Sequence, residues 1–364
     1  MLKPKISRRS LLCAIAASID DQPSLREVAQ RKGIVFGSML TAQAIAQDTA
    51  YAALVARECA MITPGVEAKF GYVQPHKGIF DFSRLDRLVR FGRAANQQIH
   101  MHNLLWGIGN PPWLLAELNA GRGFAVVQAH INSVVGRYRG QVAAWDVVNE
   151  PLNPAYPCDQ SLLTRTPWRN SLGADYIAQA ITLAAVADPH AVMMLNDDNL
   201  EYVGKIGEEK RAGYLRLIER LRRARVPIGG FGLEIHIKPW LQFAPSHYRQ
   251  FLRELAGFDL RLMITEFDVC DRDFAADTQT RDAQVAAIAQ TYLEVALDEP
   301  ALDSVIVWGL SDRWSSMRQE RNLRRSDGKD PRGCLYDADL RAKPLRAVFE
   351  HAFKHAPARK SRNL

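Results

Sequence analysis

Two stretches of this chain end an apolar run in a carboxylate. Trp145-Asp146-Val147-Val148-Asn149-Glu150-Pro151 carries strand-forming residues up to an amide and an acid, and Pro151 then forbids further ladder pairing. Arg261-Leu262-Met263-Ile264-Thr265-Glu266-Phe267-Asp268 repeats the device with a second acid. Buried polar groups must be paired or used, so a polar tip on an apolar strand is a costly arrangement. A single strand-end glutamate is ordinarily a solvated residue. Two of them on separate strands, each flanked by polar partners, match what cleavage of a glycosidic bond with retained configuration requires. One acid protonates the leaving oxygen and the other attacks the anomeric carbon.

Such tips act together only if their strands converge. Strand patterns occur at 34–39, 61–63, 99–106, 142–149, 192–195, 230–237, 262–267 and 304–310. Helical spacing occurs at about 42–58, 83–95, 124–138, 174–187, 208–224, 247–255, 283–297 and 345–353. Strands alternating with helices in this way predict parallel pairing with helical crossovers, in an α/β fold that is a single (β/α)8 TIM barrel. An open doubly wound sheet is the competing arrangement, but no glycine-rich phosphate loop follows the first strand. Barrels of this type work at the C-terminal ends of their strands. Polar residues collect there in this chain: His102 and Trp106, Asn149 and Glu150, Asn196 and Asp197, His236, Glu266 and Asp268, and Trp308.

Over 364 residues the chain is 47% hydrophobic and 24% charged, which fits a globular body. The formal charge of +7 raises the question of a nucleic-acid partner. Its distribution argues against one. Residues 1–28 carry five Lys/Arg and three Asp/Glu (+2), and residues 351–364 carry four Lys/Arg and no acid (+4), so the middle holds about +1. The expected organisation is a leader and N-terminal segment over 1–28, a catalytic domain over 29–355 and a basic tail over 356–364, in a monomeric protein. The leader reads Ser7-Arg8-Arg9-Ser10-Leu11-Leu12 before Cys13-Ala14-Ile15-Ala16-Ala17-Ser18. A basic region before a short apolar run is of the export type, and the paired arginines resemble a twin-arginine signal. The run is too short to span a bilayer, so the expected location is periplasmic or secreted, without stable membrane insertion. Cys13, Cys59, Cys158, Cys270 and Cys334 show no metal-ligand spacing, and no metal or organic cofactor is expected. Loss of the leader would leave four thiols, enough for up to two disulfides.

Taken together, HNLLW at the third strand, WDVVNEP at the fourth, LNDDNLE at the fifth, GLEIH at the sixth, ITEFDV at the seventh and WGLSD at the eighth resemble glycoside hydrolase family 10, which contains the endo-1,4-β-xylanases. The resemblance runs from about Gly33 to Phe349. It implies that Glu150 is the general acid/base and Glu266 the nucleophile. It implies that His236 donates to the nucleophile and is oriented by Asp268, and that Asn149 meets the sugar 2-hydroxyl. Lys69, His102, Trp106 and Trp308 match sugar-binding positions around the cleavage point. Trp314 lies close to a further tryptophan position, which here is Ser316. Asn196 and Asp197 are assigned to loop support rather than to substrate contact.

The chain also departs from the pattern. The family's second-strand motif reads T-P-E-N-x-M-K-W, and here the residues are Thr63-Pro64-Gly65-Val66-Glu67-Ala68-Lys69-Phe70. The Glu and Asn that grip the non-reducing-side sugar are therefore absent. Gly107 stands where a His follows the third-strand Trp, and Glu234 stands in place of a Gln, adding a third acid beside the pair. Gly65 and Val66 predict a weaker and roomier non-reducing-side subsite, unless Glu67 turns in to replace the lost acid. The expected function is a retaining endo-β-1,4-glycosidase acting on xylan as an endo-1,4-β-xylanase. The same chemistry on another β-1,4-linked glucan or a bacterial exopolysaccharide is the nearest alternative. A non-catalytic polysaccharide-binding barrel is the alternative of another class, and the presence of both acids with His236 and Asp268 argues against it.

Overall fold

The eight strands close into one parallel barrel in sequence order, the last pairing back onto the first. The structure, a computed structural model, describes residues 22–155 and 162–359. The strands are β1 Val35–Leu40, β2 Met61–Pro64, β3 Gln98–Trp106, β4 Ala144–Asn149, β5 Val192–Asp198, β6 Gly230–Ile237, β7 Arg261–Val269 and β8 Leu302–Val307. Parallel neighbours need a crossover. The long helices Ser83–Ala94, Gly123–Arg137, Tyr176–Ala187, Lys205–Arg223, Pro245–Gly257 and Thr278–Leu297 supply those after β2 to β7, and Pro344–His355 follows β8.

Some elements differ from the expected pattern for identifiable reasons. The first helix is two helices, Ala42–Gln47 and Thr49–Glu58. Asp48 between them is non-helical (φ −137°, ψ 88°), and its side chain accepts from the Tyr51 N–H as the cap of the second. Leu25–Gln30, Phe70–Val73, Pro112–Asn119 and Pro167–Leu172 are helices too short for periodicity to reveal. β8 stops at Val307 rather than Leu310. The Trp308 N–H still donates to the Phe267 carbonyl at 2.8 Å, but Gly309 (φ 113°) then turns the chain out of the sheet.

Apolar side chains form two bodies. The larger lies between the barrel and its helices, while Met61, Ala144, Met194, Met263 and Ile306 meet inside the barrel from five different strands. The interior is thus packed and not a pore. A polar layer lies along the same strands toward their C-terminal ends, and this is where the site begins.

Both expected outer boundaries shift. The boundary after Val28 falls inside the helix Leu25–Gln30, whose Leu25 and Val28 are buried and whose N-terminus is closed by a Ser24–Glu27 capping box. The basic tail is folded as far as Arg359, which is buried. Its guanidinium donates to the Leu297 and Leu302 carbonyls, and its N–H donates to Lys32 O at 2.8 Å. Arg8, Arg9, Cys13 and Cys158 lie outside the described residues. Cys59, Cys270 and Cys334 are buried free thiols. No helix among the described residues is long and apolar enough to cross a membrane.

Candidate active site

β6 and β7 pair so that Glu234 stands opposite Glu266, and His236 opposite Asp268. The period-two alternation of a strand puts each of these acid-containing pairs on one face. His236 Nε2 lies 3.2 Å from Glu266 Oε2, and its Nδ1 lies 2.9 Å from Asp268 Oδ1. An imidazole held between two carboxylates donates from both nitrogens. Burial alone would lower its pKa, but Asp268 and then Glu266 raise it well above the ordinary histidine value. Glu266 is buried, which by itself would favour its protonated form. His102 first, then His236 and Lys69, outweigh that and hold its carboxyl below the usual glutamate value.

Glu150 follows β4 directly, with φ at 48°, a left-handed conformation that non-glycine residues rarely adopt. Its N–H donates to Asn196 O at 2.9 Å, which fixes the turn. Burial, then the carboxylates of Asp198 and Asp197, push its pKa up to about 8, with Glu266 adding to the rise. At neutral pH one acid therefore holds its proton while the other is ionised. That is the division between proton donor and nucleophile that a double displacement needs.

One amide joins the two halves. Asn196 on β5 donates to Asn149 Oδ1 at 2.9 Å and to Glu234 Oε1 at 2.7 Å, and its own oxygen accepts from Thr265 Oγ1 at 2.7 Å. Asn149 in turn donates to Glu150 Oε1 at 3.1 Å. Asn196 therefore does more than hold the Glu150 turn: its side chain links β4, β5, β6 and β7. Gly232 makes the link possible, because a Cβ there would fall on Asn196 Oδ1. Asp197 is buried, bound by Lys210 and by the Tyr214 hydroxyl. Glu234 is pushed well above the glutamate range by burial, then by Glu266 and Glu150. Neutral, it accepts on one oxygen and carries a proton on the other, the same donor-plus-acceptor pattern as the amide expected at that position.

The residues that the resemblance assigns to sugar binding gather round these acids. His102 Nδ1 lies 3.0 Å from Asp146 Oδ2 and 3.6 Å from Glu266 Oε1. The Trp308 ring meets His102 edge-on at 5.4 Å and His236 at 6.4 Å between centroids. Lys69 Nζ sits 4.5 Å over the Trp106 ring. Trp314 is placed differently. Its indole N–H donates to Asp48 Oδ2 at 3.1 Å and its ring lies against Tyr51.

Sequence reasoning missed the layer beneath. Asp146 Oδ2 is 3.0 Å from both His100 Nε2 and His102 Nδ1, and His100 Nδ1 is 3.0 Å from Thr63 Oγ1. Burial would raise the Asp146 pKa, yet His100 and His102 bring it down to about 2. The signal was available: His100 and His102 alternate on β3, and Asp146 interrupts an otherwise apolar strand. Lys210, a buried cation on the helix after β5, was missed as well; it lies 2.7 Å from Asp198 Oδ1.

The β1–β2 side corrects two expectations. Gly65 does not open room: a Cβ there would lie 2.7 Å from Met39 Sδ, because the Met39 side chain already fills that space. Glu67 does not replace the missing acid. It accepts from the Ala42 N–H at 2.6 Å and so caps the helix Ala42–Gln47. Gly107 is likewise filled in, with Thr166 Cγ2 2.9 Å from where its Cβ would stand.

Comparisons with known proteins follow the same lines. The sequence model for Glycosyl hydrolase family 10 matches residues 24–352. An endo-1,4-beta-xylanase of Agaricus bisporus is 30% identical over 284 residues, covering 78% of this chain and 80% of its own. Endo-1,4-beta-xylanase B of Thermotoga neapolitana is 29% identical over 271 residues, covering 73% and 74%. Xylanase 10B from Thermotoga petrophila, solved in complex with xylobiose, superposes with a TM-score of 0.80 at 25% identity over 92% of this chain and 98% of that one.

Proposed function

The chain belongs to glycosyl hydrolase family 10, and from that membership we propose that it is an endo-1,4-β-xylanase cleaving internal β-1,4 linkages of xylan with retention of configuration. The observation that carries the mechanism is the unlike setting of two carboxyls: Glu150 at the end of β4 beside Asn149 and near other carboxylates, which favour its protonated form, and Glu266 on β7 within 3.2 Å of His236, which favours its ionised form. Glu150 gives its proton to the glycosidic oxygen as that bond breaks. Glu266 attacks the anomeric carbon and forms a glycosyl ester, while His236 and His102 lose some of their hold on its charge. Glu150, now a carboxylate, takes a proton from water, and the hydroxide equivalent displaces Glu266 from the same carbon. Two inversions leave the configuration unchanged. Asn149, fixed by Asn196, is positioned for the 2-hydroxyl, and Trp308 and Trp106 supply ring faces for the sugar.

The test is product analysis on xylan and on cello-oligosaccharides, with the anomer of the first product followed by NMR. Short β-xylo-oligosaccharides as first products support the proposal; an inverted product, or turnover of glucans alone, rejects it. Export through the Arg8-Arg9 leader and a monomeric state belong to the same reading. Replacing both arginines by lysine should hold unprocessed protein in the cytoplasm, and unchanged exported activity would reject a twin-arginine route.

A further inference from the structure

Glu234, His236 and Glu266 each offer one ligand atom, and these atoms all lie within 4.8 Å of one another. An imidazole nitrogen with two carboxylate oxygens is a donor set that suits a zinc-type ion, with a fourth position left for water. Two of the three ligands are also held from behind. Asp268 fixes His236 through Nδ1 at 2.9 Å, the carboxylate–histidine arrangement that orients metal-binding imidazoles, and Asn196 fixes Glu234 at 2.7 Å. The surroundings are rich in acid, with Glu150, Asp197, Asp198 and Asp268 close by, and the basic groups facing them are His102, Lys69, Lys210 and Lys238. The third ligand is this chain's own departure. An amide at position 234 would keep the hydrogen bond to Asn196 but would be a much poorer metal ligand.

We propose that Glu234, His236 and Glu266 form a binding site for a divalent transition-metal ion of the zinc type, and that the bound ion shuts off glycoside cleavage. On binding, His236 releases its Nε2 proton and Glu234 its carboxyl proton to solvent, and His236 keeps its Nδ1 donation to Asp268. The ion then occupies the Glu266 oxygen that would attack the sugar, so ion and substrate exclude one another. Metal binding is independent of the substrate assignment; only the shut-off rests on the proposed function, and the two are read separately.

The experiment compares full-length wild type with Glu234→Gln. Equilibrium dialysis against micromolar zinc, followed by metal analysis, should find one more zinc per chain in the wild type. His351 and His355, whose rings lie 4.0 Å apart on the last helix, offer zinc another place, and the difference between variants cancels it. Inhibition by zinc, each protein scored against its own metal-free rate, should need about tenfold more metal in Glu234→Gln. Equal zinc content and equal sensitivity in both proteins would overturn the proposal. Loss of a zinc in the variant without any inhibition of the wild type would overturn the shut-off. Should Glu234→Gln fail to fold, cobalt-loaded wild type decides. Its visible absorption should change when saturating xylo-oligosaccharide is added, and a spectrum indifferent to the sugar would place the ion elsewhere and overturn the site.

Discussion

The β4–β7 side of the barrel mouth and the β1–β2 side are built differently. On the first, each reacting acid has an identifiable partner: Glu150 has Asn149, Glu266 has His236, and Asn196 ties Asn149 to Glu234. On the second, Met39 covers Gly65, and the acid of that motif, Glu67, is spent on capping a helix. The contrast is between a hydrogen-bonded network of acids and amides and a region closed by apolar packing and a helix cap. Proton placement is fixed by a network among neighbouring strands. The family pattern has a Glu and an Asn where Gly65 and Val66 stand here, and contacts remote from the reacting bond supply binding energy that supports turnover as well as affinity.

The contrast is sharpest if the two sides respond unequally to substitution. Glu150→Gln should lower kcat roughly 10²–10⁴-fold, the range for loss of a positioned proton donor, and Glu266→Gln should cost at least as much. Gly65→Ala should change kcat/KM by less than about tenfold, since only the Met39 thioether has to move aside. Equal losses on both sides would break the comparison.

Asp268→Asn is next in size. It removes a charged hydrogen bond that orients His236 and keeps it protonated, worth about 1.5–3 kcal/mol, so kcat should fall about ten- to hundredfold with little change in KM. A change confined to KM would mean that Asp268 serves binding instead.

A smaller effect comes from rebuilding the grip. Gly65→Glu with Val66→Asn should gain little while Met39 holds the space. Adding Met39→Ala should raise kcat/KM on xylo-oligosaccharides by about tenfold, as two hydrogen bonds near 0.5–1.5 kcal/mol each imply. No gain in the triple variant would refute the expectation that Gly65 and Val66 weaken the subsite.

The smallest effects are shifts along the pH axis. Activity should fall as pH rises through about 8, where Glu150 loses its proton, and on the acid side only below the ordinary glutamate value, where Glu266 gains one. Asp198→Asn removes a carboxylate that raises Glu150, so the alkaline limb should move to lower pH. Stability carries the same sign. A raised carboxyl pKa contributes stability that is fully present below the unfolded value and is lost as pH rises through about 8. The Tm of the wild type should therefore fall relative to that of Glu150→Gln as pH rises toward 9 (about one unit past that pKa). Parallel Tm curves would show that Glu150 titrates like an exposed glutamate.

The barrel and the placing of Glu150 and Glu266 at its mouth were legible because both depend on local pattern: strand-length apolar runs, helical returns, and acids that end apolar runs. The polar layer of Thr63, His100 and Asp146 left a signal, in the alternation of His100 with His102 and in Asp146 within an apolar strand, but strand periodicity alone does not tell a barrel-facing residue from a helix-facing one, so the three could not be brought together. Met39 could not be paired with Gly65, since that contact joins separate strands and depends on which way a thioether turns. Trp314 was grouped with the sugar-binding residues for its closeness to position 316, where the family pattern has a tryptophan; its hydrogen bond to Asp48 was not legible, since it joins segments far apart in the chain. The helix break at Asp48 was missed because the apolar spacing continues across it, and only the capping chemistry separates the two pieces.

Both ends of the described chain are fastened at the base of the barrel, the end opposite the mouth. Arg346 holds Gln22 and Pro23, and Arg359 reaches Lys32 and the start of β8. The protein is thus nearly a closed ring of eight like units whose seam is remote from the chemistry. Such a ring can be reopened elsewhere: bridging the two ends and cutting an exposed turn on the base should give a circular permutant with the cleft unchanged. Anchoring either end to a surface should likewise leave the mouth facing outward, toward a polymer too large to diffuse to it from behind.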